Sequence, residues 1–316
     1  MMNPKNMVWV PGGAFLMGSN EFYPEERPVR PARIGGFWMD EHPVTVAEFR
    51  RFIKATSHIT VAEMTPDPID FPTAEPGQLV PGSLVFTPPH RPVPLDDFRH
   101  WWSWVPGAQW RHPEGPGSTL HGLEKHPVTH VAYPDAVAYA EWAGKALPTE
   151  AEWEFAARGG LEGATYSWGD EFTPRGRMMA NTWQGDFPVH NDLIDGYART
   201  SPVGKFPPNG YGLIDITGNV WEWTSDDYTS SHTPADDTSE AVQPAPDPAN
   251  CCGPQHEPTS AQPAHHEAST PSTKVIKGGS HLCAPNYCLR YRPAARQSQT
   301  IDTSTSHLGF RCIVRP

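Results

Sequence analysis

Two cysteines five positions apart, Cys283 and Cys288, are the residues of this chain best suited to carry chemistry. They lie in the segment 277–292, which reads KGGSHLCAPNYCLRYR. Thiolates are soft ligands that prefer soft metals such as Cu(I), and nearby cationic groups favour the thiolate over the thiol. The same segment contains three side chains that we expect to supply this positive field: His281, Arg290 and Arg292.

The residues alone leave two interpretations of the pair open, a thiolate site and a local disulfide. Two glycines, Gly278 and Gly279, permit tight backbone conformations just before the pair. They predict that the residues that follow, Ser280, His281 and Cys283, are presented at a turn and are not buried in a strand. The spacing is neither the C-x-x-C of redox proteins nor a paired zinc ribbon, and the two further ligands of a structural zinc are missing.

Oxygen ligands are gathered in the segment 206–223, which is dense in turn formers and aromatic residues. Its carboxylates Asp215 and Glu222 flank a short loop. The loop carbonyls at Gly218 and Val220 point to the same side if the backbone is extended. Two carboxylates and two carbonyls suit Ca²⁺, and a solvated turn is the alternative. The same ligand types occur at longer range in Asn181, Thr182, Asp195 and Tyr197.

Other metal and catalytic motifs give no competing site. His126 and His130 have the four-residue spacing of a helical metal site, but Pro127 argues against a helix, so we expect both histidines to be structural. No phosphate-binding glycine-rich loop, Gly-x-Ser-x-Gly elbow or His-Glu-x-x-His motif is present. Nucleotide, serine-hydrolase and zinc-protease chemistry therefore have no basis in this sequence.

Three helices can be predicted from their ends. Thr149 and Glu152 form a capping box and Gly159 ends that helix, and Thr45 opens a second helix in the same way. A third begins at Pro134 and stops before Gly144. Short strands and turns are predicted within 7–17, 202–206 and 274–278. The pattern predicts an irregular α+β domain.

Composition limits the remaining possibilities. The 27 glycines and 37 prolines make up about a fifth of the 316 residues, so we expect many turns and little regular structure. A net charge of −12 argues against a nucleic-acid or anionic-membrane binder. The N-terminal residues contain no secretory signal, no segment reaches transmembrane length, and the number of cysteines is odd. These observations favour a cytoplasmic protein with unpaired thiols.

A change of composition marks a long surface insertion at about 226–273, rich in Pro, Ala, Ser, Thr, Asp and His. It contains the adjacent pair Cys251 and Cys252. Two interpretations of this pair stay open: it binds a metal or a thiol, or it has no chemical function.

Seven motifs make the chain resemble the formylglycine-generating enzymes, also called sulfatase-modifying factors. They are VPGGAFLMG at 10–18, WRHPEG at 110–115, LPTEAEWE at 147–154, ANTWQG at 180–185, GNVWEW at 218–223, GGSHLC at 278–283 and LGFRC at 308–312. The most specific part is the pair Cys283 and Cys288 with Ser280 and Tyr287 beside it. The first and last motifs and GNVWEW are shared across the wider superfamily and specify the fold.

The resemblance implies a single domain over 7–316 with a C-type-lectin-like fold, poor in regular secondary structure and stabilised by two calcium ions. The first ion would be bound by Asn181, Asp195 and the carbonyls of Thr182 and Tyr197. The second would be bound by Asp215, Glu222 and the carbonyls of Gly218 and Val220.

The implied reaction is the oxidation by molecular oxygen of a cysteine in a Cys-x-Pro-x-Arg motif of a type I sulfatase to Cα-formylglycine. Cys283 and Cys288 would hold Cu(I) in near-linear geometry, and the substrate cysteine would add as a third thiolate. Trp221 and Ser280 would line the oxygen pocket. An external thiol or other reductant would complete the electron count.

One departure and two alternatives follow from the same comparison. Secreted members of the family carry disulfides, but the positions that would complete them here are Ala140, Ala157 and Pro293, so we expect Cys312 to be a free, buried thiol. An iron enzyme of the ergothioneine-synthase type is one alternative, although the chain has no room for its helical domain ahead of Val10. A non-catalytic binding module is the other, but that role would not need both thiols.

Overall fold

The structure is a computed structural model that describes residues 4–68, 75, 77, 79–232 and 272–316. Its regular elements are short and are joined by long irregular segments, as the glycine and proline content predicts. The α-helices are α1 (Val46–Thr56), α2 (Tyr133–Trp142) and α3 (Glu150–Arg158). Four 3₁₀ turns also occur in the described ranges, at Pro24–Glu26, Val61–Glu63, Phe98–His100 and Pro174–Gly176.

The strands form one four-stranded sheet, one three-stranded sheet and three hairpins. In chain order they are β1 (Met7–Val10), β2 (Gly13–Met17), β3 (Arg30–Ile34), β4 (Phe37–Asp40), β5 (Gly82–Phe86), β6 (Trp102–Pro106), β7 (Gly185–Asp186), β8 (His190–Asn191), β9 (Trp221–Asp227), β10 (Thr273–Lys277), β11 (Arg296–Thr300), β12 (Leu308–Gly309) and β13 (Ile313–Val314). The larger sheet has the order β11-β10-β9-β12, and the smaller one has the order β1-β4-β13. The hairpins are β2-β3, β5-β6 and β7-β8. The predicted α+β class and irregular architecture are confirmed.

The helix predictions are confirmed because the capping chemistry fixes the ends locally. Thr149 accepts a hydrogen bond from the Glu152 main chain and completes a capping box, and Gly159 closes α3 with φ of 58°. Thr45 caps α1 in the same way. The third helix, α2, starts at Tyr133, one residue earlier than predicted.

One of the three segments predicted as short strands and turns contains no strand. The segment 202–206 forms turns alone, with Gly204 at φ of 81°. The Gly204 N–H donates to the Asp215 carboxylate at 3.0 Å, so the bond goes to a side chain and not to a strand ladder. The predicted strands within 7–17 and 274–278 are confirmed as β1, β2 and β10.

Two hydrophobic clusters form the core. The larger one contains both cysteines of the candidate centre together with Trp221, Tyr287 and many further aromatic residues. The smaller one surrounds Trp153 and packs α3 against β2 and β4. The four-stranded sheet positions the site, because β9 carries Trp221 and β10 leads directly into the cysteine segment.

Much of the predicted insertion lies outside the described residues, including Cys251 and Cys252. At its edges, Asp226 and Asp227 belong to β9 and Thr273 belongs to β10, so the loop is shorter than predicted at both ends. Within the described ranges, no helix combines the length and apolar character needed to cross a bilayer.

Candidate active site

The cysteine segment begins with the turn that the two glycines predict. Gly278 and Gly279 have φ of 96° and 68°, a region that other residues adopt only with strain. A Cβ atom on Gly279 would also lie 2.8 Å from the Tyr291 nitrogen. The chain can therefore leave β10 and pass this closely to 290–291 only with glycine at 279.

The turn brings the two thiols together in the protein interior. The Sγ atoms of Cys283 and Cys288 lie 3.1 Å apart, and the two residues are 1% and 0% exposed. A disulfide would require about 2.05 Å, so the two thiols are not joined by a disulfide. The sequence predicted the turn but not the complete burial of both cysteines.

Main-chain hydrogen bonds fix both cysteines in place. The Cys283 N–H donates to the Ser280 carbonyl at 3.0 Å, and the Cys288 N–H donates to the Ala284 carbonyl at 2.8 Å. From outside the segment, the Trp183 N–H donates to the Cys283 carbonyl at 3.0 Å. The Ser280 N–H points at Cys283 Sγ at 3.4 Å, a contact that favours the thiolate.

The expected positive field is not present as predicted. Burial lowers the pKa of His281 to about 4, so this imidazole is neutral at physiological pH. Arg290 pairs with Glu25 at 2.8 Å, and Arg292 pairs with Glu26 at 2.9 Å. Carboxylates therefore compensate both guanidinium charges, which the sequence could not show because the partners lie 265 and 266 positions away.

Aromatic side chains surround the cysteine pair. The Tyr287 ring stacks on Phe187 with centroids 4.6 Å apart and meets Trp101 edge-on at 5.4 Å. Trp221 is fully buried in the same cluster, and its indole N–H has no hydrogen-bond partner among the described residues. Ser280, Trp221 and Tyr287 are thus placed in or beside the core region that holds the thiols.

The donor set fits copper by its chemistry. Two neighbouring thiols suit a soft monovalent ion, and no group of three or more His, Cys, Asp or Glu side chains in the described ranges could hold a metal. Cys283 and Cys288 would hold the ion through their two sulfur atoms.

Part of the first predicted calcium set is in contact in the structure. The Asp195 carboxylate accepts hydrogen bonds from the Thr182 N–H at 3.2 Å and the Tyr197 N–H at 2.9 Å. Asn181 Oδ1 is buried without a partner among the described residues. The Gln184 amide nitrogen donates to both the Thr182 carbonyl and Asp195 Oδ2, so it occupies the space between two predicted ligands. The ligand types of this set suit a hard cation, which would have to displace the Gln184 amide from between Thr182 and Asp195.

The second calcium set fits only in part. Asp215 Oδ1 is buried without a partner in the described part of the chain, and burial raises the Asp215 pKa to about 6. The Glu222 carboxylate, in contrast, accepts bonds from Arg311 at 2.8 to 3.0 Å and from the Trp153 indole at 2.7 Å. Each oxygen accepts two bonds, which fills its lone pairs. The Glu222 side chain therefore does not fit as a calcium ligand in this structure.

Sequence reasoning missed Asn219, which links these groups. Its carbonyl accepts hydrogen bonds from His281, its N–H donates to the Asn181 carbonyl at 2.8 Å, and its side chain bonds Ser201. It has φ of 60°, a conformation that asparagine tolerates better than most residues. Its position between Gly218 and Val220 was the available signal.

The remaining predicted residues behave as structural groups. Cys312 is a free thiol, fully buried, and burial raises its pKa well above the usual value, which confirms that prediction. His130 is buried between Ser83 Oγ at 2.7 Å and the Pro113 carbonyl at 2.9 Å, with its pKa lowered to about 3 by burial. His126 contacts Thr200, and neither histidine lies in a helix.

Comparison with known proteins identifies relatives over nearly the whole chain. A family model described as "Sulfatase-modifying factor enzyme 1-like domain" matches residues 1–316. The formylglycine-generating enzyme of Mycobacterium tuberculosis is 51% identical over 310 residues, which cover 98% of both chains. That of Thermomonospora curvata is 45% identical and covers 99% of this chain and 94% of its own. A Bos taurus relative named as an inactive Cα-formylglycine-generating enzyme 2 is 37% identical over 97% of this chain and 87% of its own.

Solved structures show the same fold at greater distance. PvdO from Pseudomonas aeruginosa aligns with a TM-score of 0.62 and 22% identity, covering 98% of this chain and 94% of its own. Treponema denticola variable protein 1 aligns with a TM-score of 0.53 and 18% identity, covering 98% and 95%. These likenesses concern the fold alone.

Proposed function

The chain belongs to the sulfatase-modifying factor family, and we propose that it is a copper-dependent formylglycine-generating enzyme. The family also contains a relative named as inactive, at 37% identity, so membership alone does not decide the activity. The observation that carries the proposal is the buried pair of thiols, Cys283 and Cys288, with their sulfurs 3.1 Å apart and no disulfide between them.

The proposed reaction converts a substrate cysteine in a Cys-x-Pro-x-Arg motif of a type I sulfatase to an aldehyde. The side chain CH₂SH, one O₂, two electrons and two protons give CHO, H₂S and H₂O. Two molecules of an external thiol supply the electrons and are oxidised to a disulfide. When bound, copper supplies the one-electron chemistry that lets oxygen react with the substrate cysteine.

The chain's own residues have distinct roles in this proposal. Cys283 and Cys288 hold Cu(I) as thiolates and leave a coordination position for the substrate thiolate. The Ser280 N–H donates toward Cys283 Sγ and stabilises its negative charge. The apolar surroundings of Trp221 and Tyr287 exclude water from the buried pair, so bulk solvent does not compete for the open position.

Calcium would stabilise the frame of the site. We propose that one ion binds Asn181, Asp195 and the carbonyls of Thr182 and Tyr197, where a buried amide oxygen has no partner in the described part of the chain. A second ion would have to be held through Asp215 and the carbonyls of Gly218 and Val220, without the Glu222 carboxylate. The proposed environment is the cytoplasm, where free thiols such as Cys312 persist.

A peptide assay tests the proposal. Copper-loaded protein with oxygen and a thiol reductant should convert a synthetic Cys-x-Pro-x-Arg peptide to an aldehyde, detected by mass spectrometry and by capture on a hydrazide reagent. A matched peptide with serine in place of cysteine should stay unchanged. Unconverted cysteine peptide under these conditions contradicts the proposed function.

A further inference from the structure

A segment near the N-terminus contacts the main chain directly after Cys288. It comprises Phe22, Tyr23, Glu25 and Glu26, and we refer to these four residues as the N-terminal clamp. The Tyr23 hydroxyl oxygen accepts a hydrogen bond from the Leu289 N–H at 2.9 Å. That N–H belongs to the peptide group that joins Cys288 to Leu289. Tyr23 therefore fixes the orientation of the planar peptide group directly after Cys288.

The carbonyl group of Leu289 is bonded by an arginine that the clamp also contacts. The Arg292 Nε donates to the Leu289 carbonyl at 2.6 Å, and Arg292 Nη1 donates to Glu26 at 2.9 Å. Arg292 and Glu26 are both almost completely buried, where charge-assisted hydrogen bonds are strong. The clamp therefore fixes both peptide units on either side of Leu289.

Ring contacts complete the attachment. The Arg290 guanidinium lies 3.8 Å from the Tyr23 ring centroid, and the Arg292 guanidinium lies 3.6 Å from the Phe22 ring centroid. Glu25 pairs with Arg290 at 2.8 Å. Each cation thus lies against one aromatic ring and one carboxylate of the same short segment, which restrains the chain after Cys288 more than a single contact would.

We propose that the N-terminal clamp is the positioning element of Cys288 for copper binding, with Tyr23 as its key residue. This inference rests on the proposed function, because it assumes that Cys288 holds Cu(I). Two thiols bind one ion well only if both sulfurs are held at matching positions. Cys283 is fixed by bonds from its own loop and from Trp183, whereas the chain on the far side of Cys288 is fixed by residues about 265 positions away.

The test measures Cu(I) affinity in the whole protein, without oxygen, by competition with a chromogenic Cu(I) chelator. Tyr23→Phe keeps the ring under Arg290 and removes the hydroxyl group that accepts from the Leu289 N–H. The loss of this bond should raise the Cu(I) dissociation constant about five-fold, the equivalent of roughly 1 kcal/mol. Tyr211→Phe makes the same chemical change beside Phe155 in the smaller core cluster and should leave the affinity unchanged.

Thermal melting of the same variants separates positioning from general stability. Tyr23→Phe should change copper affinity while its melting temperature stays close to that of Tyr211→Phe. A Tyr23→Phe affinity within two-fold of wild type overturns the clamp inference alone. If the Cys288→Ser variant binds Cu(I) as tightly as the wild-type protein, the proposed function itself is contradicted.

Discussion

The carbonyl oxygen of Asn219 accepts two hydrogen bonds from His281, one from the main-chain N–H at 3.0 Å and one from Nδ1 at 2.9 Å. The loop that carries Asp215 and Trp221 is therefore attached to the turn that carries the two thiols. Through Ser201 and Asn181, the same asparagine also reaches the first proposed calcium set. One buried residue thus joins the three parts of the site.

Asn219→Ala should destabilise the protein by about 3 kcal/mol. The change leaves the Ser201 N–H and carbonyl without their partner and places alanine in a left-handed conformation. Urea unfolding measures the difference. Asn286→Ala is the control. It removes an exposed amide that donates to Asp186 and the Phe187 carbonyl at the surface, and it should cost less than 1 kcal/mol. A decrease of less than 1 kcal/mol in the free energy of unfolding for Asn219→Ala would show that Asn219 does not stabilise the contacts between the three parts of the site.

Calcium titration by calorimetry should give two ions per chain. Asp195→Ala should remove the first ion, because it deletes the carboxylate at the centre of that set, and Asp215→Ala should remove the second. Asp192→Ala changes an exposed carboxylate three positions from Asp195 and should keep both ions. A wild-type stoichiometry of one, unaffected by Asp215→Ala, would rule out the second ion and agree with the Glu222–Arg311 pairing.

Acid should destabilise the fold through His130. Its folded pKa of about 3 lies below the unfolded value of 6.5, so the folded state binds fewer protons between these two pH values. This contribution is fully present above pH 6.5 and is lost as the pH falls toward 3, by up to about 1.4 kcal/mol per pH unit. His130→Asn, which suits the φ of 59°, should reduce this slope, whereas a change at the exposed His121 should not. Equal slopes would contradict the buried neutral histidine.

The sequence predicts those features that depend on neighbouring residues. The capping boxes at Thr45 and Thr149 define two helices, because each needs only a residue three positions on. The turn at Gly278 and Gly279 and the approach of Cys283 to Cys288 are local in the same sense. The first proposed calcium set spans only 17 positions, and within it Asp195 contacts Thr182 and Tyr197.

Ion pairs between residues far apart in the chain could not be predicted from the sequence. Glu222 has the right ligand type for calcium, but Arg311 reaches its carboxylate from 89 positions away. From the sequence, Arg290 and Arg292 are two uncompensated cations near two thiols. In the structure, Glu25 and Glu26 of the N-terminal segment pair with them. Sequence periodicity and residue spacing do not encode such pairings. The count of nearby cationic residues therefore predicted a positive field at the thiols that the paired carboxylates compensate.

The most direct test of the copper-thiol site compares three cysteine variants in the peptide assay. Cys283→Ser and Cys288→Ser should each abolish aldehyde formation by copper-loaded protein, because a single thiol leaves the ion without its second soft ligand. Cys312→Ala removes a third buried thiol outside the pair and should keep wild-type turnover. Full activity in either serine variant, or equal loss in all three, would contradict the assignment of Cys283 and Cys288 as the reactive centre.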